Sequence, residues 1–164
     1  MHLENFGTFF WLDASALLKL VLAEHGSEEL RSVFQAAGCV YTTSLCFGEA
    51  LGVLKVKRFY RKGKQAISQA VYIRATNNLR GYIRSNCIKF EEAPILNPSV
   101  FFEAAALSDR HKLDLSDTLQ IVTVRRSMVV GATLITADNE LAATARVEGV
   151  AVWNCEIEAP PQVT

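Results

Sequence analysis

The chain predicts an α/β fold with a mainly parallel sheet, and three observations carry that prediction. Short strand-like runs alternate with longer helical segments along the whole length. The first run, Phe9-Phe10-Trp11-Leu12, is apolar at every position, which suits a strand buried on both faces beneath helices. Half of the 164 residues are hydrophobic, enough for one domain that buries roughly two thirds of the surface its unfolded form exposes. That domain is placed over residues 1–158, with 159–164 as a loose tail carrying Pro160 and Pro161.

The elements follow in order. After the opening strand, Ser15 is expected to cap a helix continued by Ala16, Leu17, Leu18 and Leu20. Lys19 is expected on its surface. Ser27 with Glu28 and Glu29 opens a second helix, since negative charge in a first turn complements the helix dipole; it runs to about Gly38. Cys39–Thr42 reads as a strand. Ser44 is expected to cap a long helix through Phe59, and Gly63 breaks it before another from Lys64 to about Arg84. Ile88–Phe90 is a third strand, halted by a loop with Pro94 and Pro98. Ser99–His111 is a helix with Phe101, Phe102, Ala105 and Ala106 placed inward, and Ser116–Val130 is another, ended by Gly131. Thr133–Thr136 is a strand, Asn139–Glu148 a helix stopped by Gly149, and Ala151–Trp153 the last strand.

Composition narrows the function classes. Basic and acidic residues balance at seventeen each, so no global charge announces a nucleic-acid or membrane partner. The four cysteines have no CxxC spacing and the three histidines lie apart from them, which argues against zinc ligation and a disulfide framework. The first ten residues lack a basic segment followed by a long apolar one, and no apolar run has the length of a membrane span. A reducing cytoplasmic setting is the expectation, with the cysteines acting as small hydrophobes.

Chemistry enters with the acids. Glu49 has Leu45, Cys46, Gly52 and Val53 as its helical neighbours, so it is expected to face inward, either snorkelling into a salt bridge or held protonated, paired or metal-bound. Asp117 sits in a helix's first turn with Asp114 as a candidate cap, Asp138 starts a helix, and Asp13 has a turn role open to it. Those helix-end roles do not explain the repetition. Asp13 and Asp138 each stand at the carboxyl end of a strand, the edge where open α/β sheets bind ligands, and Glu49 and Asp117 lie at helix starts able to face it. Four like charges gathered there repel unless a cation holds them, and oxygen-only donors select a hard ion such as magnesium or manganese.

The stretches LDASALLKL around Asp13, TTSLCFGEALGVL around Glu49, LDLSDTLQIVTV around Asp117 and ATLITADNELAATARVEGVAVW around Asp138 together resemble a PIN domain, most closely the VapC-type toxin nucleases of toxin-antitoxin pairs. The resemblance covers nearly the whole chain. It implies a three-layer α/β/α sandwich, an acidic pocket for one or two Mg2+ or Mn2+ ions, and metal-dependent cleavage of RNA. Asp13, Glu49, Asp117 and Asp138 match the family's acids, Ser15 and Thr136 match supporting hydroxyl positions, and Asp114 is an extra acid. A cognate antitoxin covering the pocket and a homodimer are further implications of the same resemblance.

Substrate contact has its own signature, because no acid stands between Glu49 and Glu91 while ten of the seventeen basic residues do. Lys55, Arg58 and Lys62 follow helical spacing and Arg80 and Arg84 share another face, stripes that suit phosphates or an acidic protein segment. The interleaved Phe59, Tyr60, Tyr72 and Tyr82 are expected to face the core or a dimer partner rather than bases. The rival from another class is a PIN-like module that binds RNA or protein without cutting; retention of all four acids argues against it. A receiver-like domain lacks its adjacent acid pair after the first strand, a dinucleotide fold lacks GxGxxG, and a serine hydrolase lacks GxSxG.

Overall fold

A computed structural model describes residues 9–162. The readings of the segment ahead of Phe9 and of the last two positions lie outside the described residues. Five strands, β1 (Phe9–Leu12), β2 (Cys39–Thr42), β3 (Lys89–Phe90), β4 (Thr133–Thr136) and β5 (Val152–Asn154), form one sheet in the order β3-β2-β1-β4-β5, every pair parallel. Among the described residues seven helices accompany it: α1 (Ala14–Val21), α2 (Ser27–Ala36), α3 (Ser44–Phe59), α4 (Gln69–Arg84), α5 (Pro98–His111), α6 (Leu115–Arg126) and α7 (Asn139–Val147).

The apolar run of β1 now has its explanation. Phe10 and Leu12 join Ile135 and Trp153 in a core covered by α1 to α4, while Trp11 and Leu134 point the other way into a second core with α5, α6 and α7. A strand with helices on both faces has no polar side, and each fully buried side chain of this size contributes about 1.5–3 kcal/mol relative to exposure.

Several local expectations are corrected by capping geometry. Asp13 caps α1, accepting from the Ala16 N–H, and Ser15 lies one residue inside the helix. Thr43 caps α3, taking the role expected of Ser44, and Ser68 caps α4, whose start is therefore Gln69 and not Lys64. Between them Gly63 adopts φ +63 in a short 3-10 turn over Gly63–Gln65. Helix α6 stops at Arg126 because the Ser127 hydroxyl accepts from the Val129 N–H, a local bond that competes with helix continuation.

Helix α5 is rotated from the expected phase. Val100, Ala104 and Leu107 are buried, whereas Phe101, Phe102, Ala105 and Ala106 are exposed. Glu103 pairs with Arg125 and Arg126 of α6, which holds that side of α5 against its neighbour and leaves the phenylalanines outside. Lys19 is corrected as well: it is only 4% exposed, its Nζ donates to the His25 carbonyl at 2.6 Å and it pairs with Glu156. The two prolines of the tail share a shallow groove with Glu29, Val33 and Ala36 of α2.

Candidate active site

Strand order reverses between β1 and β4, because the chain builds outward from β1 to β2 and β3 on one side and from β4 to β5 on the other. Such a switch point opens a crevice at the strands' carboxyl ends. Asp13 leaves β1 there and Asp138 follows β4. The two junctions are stitched together by hydroxyls: Thr136 Oγ1 donates to Asp13 Oδ2 at 2.5 Å, and Ser15 Oγ lies 2.8 and 2.9 Å from the two Asp13 oxygens. In return Ser15 Oγ accepts from the Ala137 N–H at 2.8 Å and Thr136 Oγ1 from the Asp138 N–H at 3.0 Å. Asp13 is 5% exposed, and burial pushes its pKa up to about 6 against the hydrogen bonds from Thr136, Ala16 and Ser15 that pull it down. Asp138 caps α7 through one oxygen, accepting from the Glu140 and Leu141 N–H groups at 2.8 and 2.9 Å, and is exposed.

Asp117 in the first turn of α6 reports on all the others. Its pKa is pushed up to about 7, first by loss of water and then by the negative charges of Asp138, Glu49, Asp13 and Asp114, in that order. Five carboxylates thus share one electrostatic neighbourhood. Among the described residues none of the five takes part in an ion pair; the acidic partners of the cations are Glu24, Glu103, Glu148, Glu156 and Glu158. Asp114 occupies the N-cap position of α6 but makes no side-chain capping bond.

Glu49 does not face the core as its neighbours suggested. The inward stripe of α3 is Cys46, Ala50 and Leu54, and Glu49 is exposed. Gly52 explains the misreading: a Cβ there would meet nothing within 4 Å, and the residue lines an open cleft and not a packed interior. Partial dehydration in that cleft still raises the Glu49 pKa.

An all-oxygen donor set under mutual repulsion, with no internal cation, fits a hard divalent ion in its chemistry. Among the described residues, though, no three acidic, histidine or cysteine side chains are grouped closely enough to enclose an ion as they stand.

The profile of the PIN-domain family matches residues 10–147. The chain belongs to the PIN-domain family. A crystal structure of PAE2754 from Pyrobaculum aerophilum has a similar fold, with a TM-score of 0.59 at 18% identity over 90% of each chain. No curated protein matches the chain. PIN domains are generally nucleases, generally use divalent metals, and have nucleic acid as their characteristic ligand. Among the described residues no helix is long and apolar enough to cross a membrane.

In this PIN domain the expected basic stripe divides. Lys55, Lys62, Arg80 and Arg84 are exposed, and Arg58 is half-buried with its Nε donating to Gln69 at 2.8 Å. Lys62 does not continue the helical row, since α3 ends at Phe59. A groove of about 610 Å³ instead runs from Glu49 past Val53 and Val56 to Lys57, Arg61 and Gln65. Lys57 and Arg61 are the basic residues sequence reading did not place at the site. Counting helical turns from Glu49 itself, through 53 and 56 to 57, would have found Lys57. The aromatics also divide: Tyr72 and Tyr82 pack against the core as expected, whereas Phe59 and Tyr60 are exposed.

Proposed function

We propose that this PIN domain is a Mg2+- or Mn2+-dependent endoribonuclease of the VapC toxin type. The observation that carries the reading is the set of five carboxylates sharing one neighbourhood at the sheet's switch point, with no basic partner among the described residues. Asp13 and Asp117 are assigned as the residues that would hold one or two ions, with Glu49 and Asp138 as further ligands and Asp114 as an auxiliary acid. When bound, a divalent ion supplies Lewis acidity, lowering the pKa of water toward neutrality and offsetting phosphate charge.

The chain's own contribution is positional and electrostatic. Ser15 and Thr136 hold the Asp13 carboxylate by both oxygens, so it presents a fixed charge at the bottom of the crevice. Asp117, its pKa pushed up to about 7 by burial and the neighbouring carboxylates, would give up a competing proton if it held a cation. Phosphates on either side of the scissile bond are assigned to the basic surface of α3 and α4, with Lys55, Arg58, Lys62, Arg80 and Arg84 as the candidates from sequence and Lys57 and Arg61 added by the groove. The toxin assignment brings with it a cognate antitoxin that covers the acidic crevice, and a homodimer; both are supported by the resemblance of the four acidic motifs.

The test is cleavage of unstructured RNA by the purified chain with Mn2+ or Mg2+ and with EDTA. The wild type is expected to cut only with metal, and Asp13→Asn to fold and not cut. Metal-independent cleavage, or full activity in Asp13→Asn, overturns the proposal. For the toxin assignment, induced expression is expected to arrest growth and Asp13→Asn to abolish the arrest.

A further inference from the structure

The connection from α3 to α4 presents two aromatic rings that the core does not use. Tyr60 is 72% exposed and Phe59 56%. Both are held on a fixed helix end: the Tyr60 N–H donates to Val56 O at 2.9 Å, Phe59 sits edge-on to Tyr72 at 5.7 Å, and the Ile67 N–H donates to Lys57 O at 3.2 Å, tying the returning chain down. The Arg58 guanidinium lies over the Phe59 ring at 5.4 Å. A ring carried on an ordered backbone leaves only its side-chain torsions to be fixed when a flat partner arrives.

Arg58, Arg61, Lys62 and Lys64 flank these rings along the chain, and no acid occurs between Glu49 and Glu91. Among the described residues Lys57 is the single cation of that stretch with a carboxylate partner, Glu24 at 3.3 Å. Arg61 also closes the far end of the groove that begins at Glu49. An acidic peptide would satisfy the cations and leave the rings idle. An unpaired nucleotide satisfies both, since it carries a phosphate and a π-face together.

We infer that the α3–α4 tip is a platform for unpaired RNA, with Tyr60 stacking on a base, Arg61 and Lys62 holding the flanking phosphates, and the α3 groove leading the same strand to the acids. The inference takes its ligand class from the ribonuclease reading and adds a place of contact to it: the α3–α4 tip, where Tyr60 needs a base face that pairing would hide.

The experiment measures binding of a fluorescent, unstructured twelve-nucleotide RNA in EDTA, with Asp13→Asn as the parent so that no cleavage intrudes. Adding Tyr60→Ala is expected to weaken binding about 5- to 150-fold, the range of one lost base–aromatic stack. Tyr60→Phe is expected to stay within about twofold, and Arg61→Ala to reduce the slope of log affinity against log salt by about 0.7, one phosphate's share on a single strand. Unchanged binding in Tyr60→Ala, equal affinity for a duplex of the same sequence, or competition by polyglutamate as effective as by RNA would each overturn the platform. Cleavage by the wild type with Mn2+ is read separately: RNA binding that depends on Tyr60 in a chain that never cuts supports the platform and sinks the nuclease.

Discussion

Asp13→Asn tests the site through stability as well as activity, and the two readouts are expected to move in opposite directions. Burial raises the Asp13 pKa from 3.8 to about 6, so without metal its ionised form is disfavoured in the folded chain. At about 1.4 kcal/mol per unit, the folded state forfeits about 3 kcal/mol once both folded and unfolded forms are ionised. The stability is fully present below about pH 4 and is lost as pH rises through about 6. Asparagine removes this dependence. It caps α1 as well as aspartate does, but its amide must meet Thr136 Oγ1 as a donor, a rearrangement costing about 1 kcal/mol. Metal-free Asp13→Asn is therefore expected to be about 2 kcal/mol more stable than wild type at pH 8, a Tm rise of about 4–8 °C, and about 1 kcal/mol less stable at pH 4. Urea unfolding at both pH values in EDTA measures it. A variant destabilised equally at both would show that the carboxylate serves the fold and bears no buried-charge strain.

The remaining predictions concern the ion, the hydroxyl and the cores. Divalent-ion affinity, followed by calorimetry, is expected to strengthen as pH rises through about 6 to 7, where Asp13 and Asp117 lose the protons that compete with metal; a flat profile from pH 5 to 8 refutes their role as ligands. Thr136→Val removes a hydrogen bond that favours the charged Asp13, so the pH profile of cleavage is expected to shift upward, and an unmoved profile would assign Thr136 to packing alone. Leu134→Ala, in the core beneath α5 to α7, is expected to cost about 2–5 kcal/mol in urea unfolding without moving the pH dependence of metal binding.

Much of this protein was legible before any coordinates. The unbroken apolar run at Phe9–Leu12 determined a strand covered on both faces, and with it a parallel sheet, because a half-solvated strand would have alternated. Strand ends at Leu12 and Thr136 placed Asp13 and Asp138 at the carboxyl edge of the sheet, since that inference needs only the direction of the chain. What resisted reading was rotational phase. The amphipathic stripe of α5 is nearly matched by its neighbour, and the choice was made by Glu103 meeting Arg125 and Arg126 across a helix interface. On α3, Gly52 beside Glu49 read as part of a packed face although it borders open space.

Element types, the parallel sheet and the acids at strand and helix ends could be read from the residues alone, because these depend on periodicity and capping within a few residues. Only the tertiary structure decided that β4 lies beside β1, so that Thr136 donates to Asp13 across 123 positions and Ser15 receives the Ala137 N–H. It also decided that Lys19 is buried against Glu156 and that Glu49 opens onto a groove ending at Arg61. Such pairings are chosen by which surfaces exclude water together, a property of the packed chain that no local window contains.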